Sequence, residues 1–150
     1  MRFLPLLLGT VLFTSSFALD FCSVEIKNDF PIQQGFIDYY LTQRVFQFLE
    51  ETGWRLNCPN GTTVRVEVQN LSFKGSAIGA NRFSGYTFRI SFKVVLPKKS
   101  YSYSFSKFVP LPDPSLGTYG VREALVDIFD TYSLKIKKDL LDYRKEFGKN

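Results

Sequence analysis

Gly85-Tyr86-Thr87-Phe88-Arg89-Ile90-Ser91-Phe92-Lys93-Val94-Val95-Leu96 decides the fold. Tyr86, Phe88, Ile90, Phe92, Val94 and Leu96 alternate with Thr87, Arg89, Ser91 and Lys93. Successive side chains of a strand point to opposite faces, so a period of two means one buried face and one wet face. Pro97-Lys98-Lys99 turns the chain, and Ser100 to Val109 alternates serine with Tyr101, Tyr103 and Phe105. Upstream, Thr62 to Phe73 sets Val64, Val66 and Val68 against Arg65, Glu67 and Gln69. Three such runs in succession predict an antiparallel meander.

Working outward, the spacing changes to three or four residues. Ile37, Leu41, Val45 and Phe48, widened by Phe36, Tyr40 and Leu49, predict an amphipathic helix from about residue 35 to 52, stopped at Gly53. Leu125, Ile128, Phe129, Tyr132, Ile136, Leu140 and Tyr143 predict a second helix over 120–147, with lysines and Arg144 in its later turns. Phe21 to Lys27 alternates as a short first strand, ended by Asn28-Asp29-Phe30-Pro31. The glycine-containing stretch Lys74 to Ser84 reads as a mobile loop, and Val109 to Pro114 as a proline-stiffened crossing. The order β-α-β-β-β-α predicts an α+β fold: a four-stranded, mostly antiparallel sheet with two helices packed on one face.

Met1-Arg2, the apolar run Phe3 to Phe13 and Ser16-Phe17-Ala18 have the three-part order of a secretory signal peptide over residues 1–18, cleaved after Ala18. The apolar run is shorter than the roughly 20 residues that span a bilayer. Residues 19–150 then form a single domain, large enough for a real core. With 16 Phe, 8 Tyr and 45% hydrophobic residues, disorder is excluded as the description of this chain. The formal charge of +5 falls to +4 without Arg2. That excess suits an acidic partner or an anionic lipid surface, and nothing gathers it into a nucleic-acid stripe.

The commonest chemistry of catalysis is missing, and a Ser–Lys or lone-carboxylate mechanism is the enzymatic alternative that composition leaves open. The chain has no histidine, which removes the commonest general base and the commonest metal ligand together. Gly75 and Gly79 lack the Gly-Lys-Ser/Thr ending of a phosphate loop, and there is no G-x-S-x-G elbow. Two cysteines without histidine make no zinc site. The expectation is a non-enzyme without cofactor or metal. Cys22 opens the first strand and Cys58 precedes the second, so a sheet with those strands side by side would bring both to one end. In an oxidising compartment that placement favours a disulfide over two buried thiols. Asn60-Gly61-Thr62 and Asn70-Leu71-Ser72 match the N-glycosylation pattern, a three-residue match common by chance.

This layout, with the stretch Asn81-Arg82-Phe83-Ser84-Gly85-Tyr86-Thr87-Phe88-Arg89-Ile90, Asp127-Ile128-Phe129-Asp130 and the lysine-rich end of the last helix, resembles the lipopolysaccharide-assembly lipoprotein family, LptE. The resemblance rests on order and spacing more than on identities. It implies two helices on a four-stranded sheet, and a role in lipopolysaccharide transport as the plug of an outer-membrane β-barrel of the LptD type. It also implies export to the periplasmic face of, or within, the outer membrane, with lipopolysaccharide and that barrel as partners. Family members carry a lipobox; here Leu19-Asp20-Phe21-Cys22 puts Phe and Asp where small or apolar residues belong, which favours a disulfide over a lipid at Cys22. Arg82 aligns with a basic position of the family's loop. Lys74 flanks that loop, and Arg89 and Lys93 on the wet face complete the lipopolysaccharide-binding candidates, each also readable as an ordinary solvated charge. Tyr101, Tyr103 and Phe105, with Phe83 and Phe108, read either as contact surface for a partner or as packing beneath the second helix. The alternative function is a generic exported lipid- or protein-binding domain unrelated to the barrel.

Overall fold

The computed structural model describes residues 19–77, 83–110 and 120–148; the expected signal peptide lies outside them. The elements are β1 (Asp20–Lys27), α1 (Gln34–Glu51), β2 (Arg55–Leu56), β3 (Thr62–Ala77), β4 (Phe83–Val95), β5 (Ser100–Pro110) and α2 (Gly120–Phe147). They form an α+β fold in which a five-stranded mixed sheet, ordered β2-β1-β3-β4-β5, carries both helices. β3, β4 and β5 make the expected antiparallel meander.

Two details depart from the sequence expectation. β1 pairs parallel with β3, because the connection between them passes through α1, and only a crossover of that kind joins parallel neighbours. A fifth strand, β2, adds to the far side of β1, Asp20 opposite Arg55 and Phe21 opposite Leu56. Two residues carry no alternation, so no pattern announces this strand. It is fixed by Arg55 N–H to the Leu19 carbonyl at 2.7 Å and Asn57 N–H to that of Phe21 at 2.8 Å. Asp20 then accepts from the Arg55 Nε at 3.0 Å and the Asn57 amide at 2.9 Å.

The predicted loop from Lys74 to Ser84 is also shorter than expected. Lys74 pairs with Thr87, Gly75 with Tyr86, Ser76 with Gly85 and Ala77 with Phe83, so the hairpin arms run into it. Glycine and serine read as loop in isolation, but a strand already paired on one side overrides that preference. A Cβ on Gly85 would come within 2.8 Å of the Phe108 ring and 2.9 Å of the Pro110 Cα, so glycine lets β5 approach there. In β3 the register shifts between Val68 and Asn70. The extra residue resets the alternation, and the buried positions pass from Val64, Val66 and Val68 to Leu71.

α1 ends as its sequence demands. Gly53 takes φ 91°, a conformation glycine adopts without a Cβ clash. The amides of Thr52 and Trp54 then reach back to the carbonyls of Phe48 and Leu49, each at 3.0 Å. The buried residues of α1 and α2 meet the inner sheet face in one core. Phe129 lies at its centre, 5.7 Å from the Phe92 ring of β4, 6.1 Å from Phe48 of α1 and 5.5 Å from Tyr40.

The aromatics of β5 divide. Tyr103 and Phe105 are buried, and Phe105 stacks on Tyr132 of α2 at 4.5 Å, the packing alternative of the sequence reading. Phe108 stays 44% exposed, and the side chain of Phe83 lies outside the description. The Tyr103 hydroxyl donates to Asp139 at 2.6 Å. Burial first, then that carboxylate, hold the Tyr103 hydroxyl well above its ordinary value of 10.0. Above pH 10 an unfolded chain loses this proton while the folded one keeps it, so stability is complete below pH 10 and falls as pH rises beyond it. The denaturation midpoint is expected to drop between pH 10 and 11, and Tyr103→Phe to flatten that drop. An equal slope in both proteins would refute the assignment.

Cys22 and Cys58 form a disulfide, their Cα atoms 4.8 Å apart. A sulfur bonded to Cys58 has no valence left for a thioether to lipid, and the parallel pairing of β1 with β2, carried on by the Asn57 N–H to the Phe21 carbonyl, explains why the two positions meet.

Candidate functional site

The helices cover one face of the sheet; the other is a polar surface built by the alternate residues of the meander. Its hydroxyls are regular: Ser91 and Ser104 share a hydrogen bond at 2.9 Å across β4 and β5, and Ser23 and Thr63 another at 3.1 Å across β1 and β3. In sequence the serines of β5 mark the wet side of a strand. That they form a continuous hydroxyl surface with Ser72 and Thr87 depends on strand order, which the spacing within one strand does not carry.

The register places two of the four candidate cations side by side. Ser72 pairs with Arg89 and Lys74 with Thr87, so Lys74 and Arg89 are diagonal neighbours on this face. Together with Ser72 and Thr87 they line a shallow depression of about 290 Å³. Arg89 also borders a second, of about 270 Å³, with Asn70, Ser91, Ser104 and Ser106. Both cations are exposed, and among the described residues neither pairs with a carboxylate. Phe108 stands opposite Thr87 on β5, an exposed ring beside the two charges.

Lys93 does not join them. It lies four residues further along β4, roughly 13 Å at the strand rise, with its ammonium 3.6 Å from Glu67. Glu67 also approaches Arg65 at 3.9 Å, so that end of the face is a mixed-charge cluster. Arg82 lies outside the described residues. Of the other lysines, Lys107 meets Asp127 at 3.6 Å on the helical side, and Lys99 sits over the Tyr101 ring at 5.3 Å.

An arginine fork and a lysine ammonium among hydroxyls suit a multiply charged oxyanion, phosphate above all: arginine gives two parallel bonds, lysine a point charge, and the hydroxyls donate further. A larger depression of about 550 Å³ lies between the end of α1 and α2, lined by Glu51, Leu134, Lys137, Lys138 and Leu141 among others. Two of its three lysines are already answered, Lys137 by Glu51 at 2.5 Å and Lys138 by Asp142 at 3.0 Å, and those two carboxylates stand in its lining, which makes it the poorer anion site. Among the described residues no cluster of three metal-ligating side chains occurs, and no helix is long and apolar enough to cross a membrane.

No protein-family model and no curated protein matches the sequence. Solved structures that the chain is similar to include a minor lipoprotein from Acinetobacter baumannii, with 11% identity, TM-score 0.47, and 83% of this chain and 94% of that one covered. Another is a neuraminyllactose-binding hemagglutinin homolog from Helicobacter pylori, with 15% identity, TM-score 0.48, and 87% and 88% covered. A third is the rare lipoprotein B from Shewanella oneidensis, with 14% identity, TM-score 0.36, and 85% and 88% covered.

Proposed function

We propose that this protein is an exported, non-enzymatic component of lipopolysaccharide transport at the outer membrane, binding lipopolysaccharide and partnering a β-barrel of the LptD type. The observation that carries the reading is the pair Lys74 and Arg89, set side by side on an uncovered hydroxyl-rich face and unpaired with any carboxylate among the described residues. The phosphates of the lipopolysaccharide head are the complementary chemistry, and exposed Phe108 offers apolar contact next to them. Arg82, outside the described residues, is a further candidate that the LptE resemblance alone supplies. The LptE resemblance of residues 81–90 supplies the barrel partner and the location. The mechanism is one of presentation: the sheet holds the head group by charge and hydrogen bonds and releases it unchanged.

Two charge-assisted bonds of about 1.5–3 kcal/mol each set the expected effect. The chain from residue 19 should bind phosphorylated lipopolysaccharide at least about tenfold more tightly than its dephosphorylated form, and Lys74→Ala with Arg89→Ala should abolish that preference. Both side chains are exposed, so the melting temperature should not move. Equal affinity for both forms, or a double variant that binds as well as the parent, would overturn the site. Copurification from native membranes separates this role from a generic exported lipid- or protein-binding domain, because only the former brings down a large outer-membrane barrel.

A further inference from the structure

β5 closes the sheet on one side, and among the described residues no strand lies beyond it. An edge strand presents a row of unpaired N–H and C=O groups, which proteins usually guard with prolines, charges or bulges. β5 has few such guards. It pairs with β4 without a break from Ser100 to Pro110, has no proline before Pro110, and carries no charge from Ser100 to Ser106.

Its pattern is complementary to itself. Serine on the outer face alternates with Tyr101, Tyr103 and Phe105 on the inner one. Run antiparallel to a copy about a two-fold axis near Tyr103 or Ser104, serine faces serine and ring faces ring. The helix above adds a second complementarity. α2 runs antiparallel along β5, as Lys107 to Asp127 at 3.6 Å, Phe105 to Tyr132 at 4.5 Å and Tyr103 to Asp139 at 2.6 Å show in turn. The charges of α2 divide by face: Asp130 and Lys137 turn to α1, against Arg44 and Glu51, while Asp127 turns to β5, against Lys107. A two-fold axis near Tyr103 brings position 107 of one copy opposite position 99 of the other, and so sets Asp127, which meets Lys107, toward Lys99 of the second copy. Asp127 keeps 45% of its side-chain surface exposed while meeting Lys107, so it remains open to a further cation.

We propose that β5 pairs antiparallel with β5 of a second copy, joining the two sheets into one. The inference does not rest on the lipopolysaccharide reading. It would carry both polar faces onto one side of a continuous sheet, so the two Lys74 and Arg89 pairs would share a single surface.

Sedimentation velocity of the chain from residue 19, its native disulfide intact, is expected to show a dimer whose fraction rises with concentration. Ser102→Lys with Ser104→Lys, two exposed positions, should weaken association at least about tenfold through facing like charges and leave the melting temperature unchanged. Mild oxidation of S102C, S104C, S106C or the double S102C/S104C should cross-link the dimer in at least one case, whereas S72C, two strands away, should not. A monomer throughout the concentration range would overturn the proposal. So would a dimer indifferent to the lysine pair and cross-linked as readily through position 72.

Discussion

Replacing Phe129 by alanine is expected to remove about 3–5 kcal/mol of folding stability, the range for a large aromatic deleted from a packed core. Phe129 is wholly buried, and its ring is shared by α1 through Phe48 and Tyr40 and by the sheet through Phe92. Truncation returns less apolar area to solvent on unfolding and leaves a cavity that rings held on a helix and on the sheet cannot close together. A domain of this size has about 5–15 kcal/mol in all, so the variant should sit near the edge of folding. Urea denaturation measures the loss. Leu134→Ala, on the same helix but 76% exposed, is the control and should stay within about 0.5 kcal/mol of the parent. A loss at Phe129 below about 1.5 kcal/mol would mean that the helices are not seated as described.

The second large effect concerns the disulfide. Opening Cys22–Cys58 is expected to cost about 3–4 kcal/mol, because the bridge closes a loop of 36 residues and restricts the unfolded chain. The folded state should change little. β1 keeps its ladder with β3, and Arg55 keeps its ion pair with Asp20 at 3.0 Å. The neighbourhood is also close-packed: a Cβ on Gly61 would come within 2.7 Å of the Cys22 amide nitrogen. The double variant Cys22→Ser with Cys58→Ser should therefore keep the parent's far-ultraviolet circular dichroism while its denaturation midpoint falls. Loss of the native spectrum, or a cost under about 1 kcal/mol, would contradict an effect residing in the unfolded chain.

The parts of the fold legible in sequence were those with a period. Val64, Val66 and Val68, the run from Tyr86 to Leu96, and Ile37, Leu41, Val45 and Phe48 each repeat often enough to show which face is buried, and the structure buries those faces. β2 was illegible because Arg55 and Leu56 are too few to alternate and are held by backbone bonds and Asp20. The extension of β3 through Gly75 to Ala77 was hidden because pairing with β4, not composition, decides it. The candidate site was half legible. Basic character and a wet-face position could be read for Lys74, Arg89 and Lys93 alike. Which of them share a spot depends on register, and register brings Lys74 beside Arg89 while setting Lys93 against Glu67. The hydroxyls around the pair come from three strands and belong to no single stretch of sequence.

The claim beneath the functional reading is that the uncovered sheet face, not the helical side, receives an anionic head group. Amide chemical-shift mapping during titration with a solubilised, phosphorylated lipopolysaccharide fragment tests it residue by residue. Saturable shifts at Ser72, Lys74, Thr87, Arg89 and Ser106, with α1 and α2 unmoved, are the predicted result. Shifts confined to Leu134, Lys138 and Leu141 on the helical side, with Lys74 and Arg89 still, would contradict it.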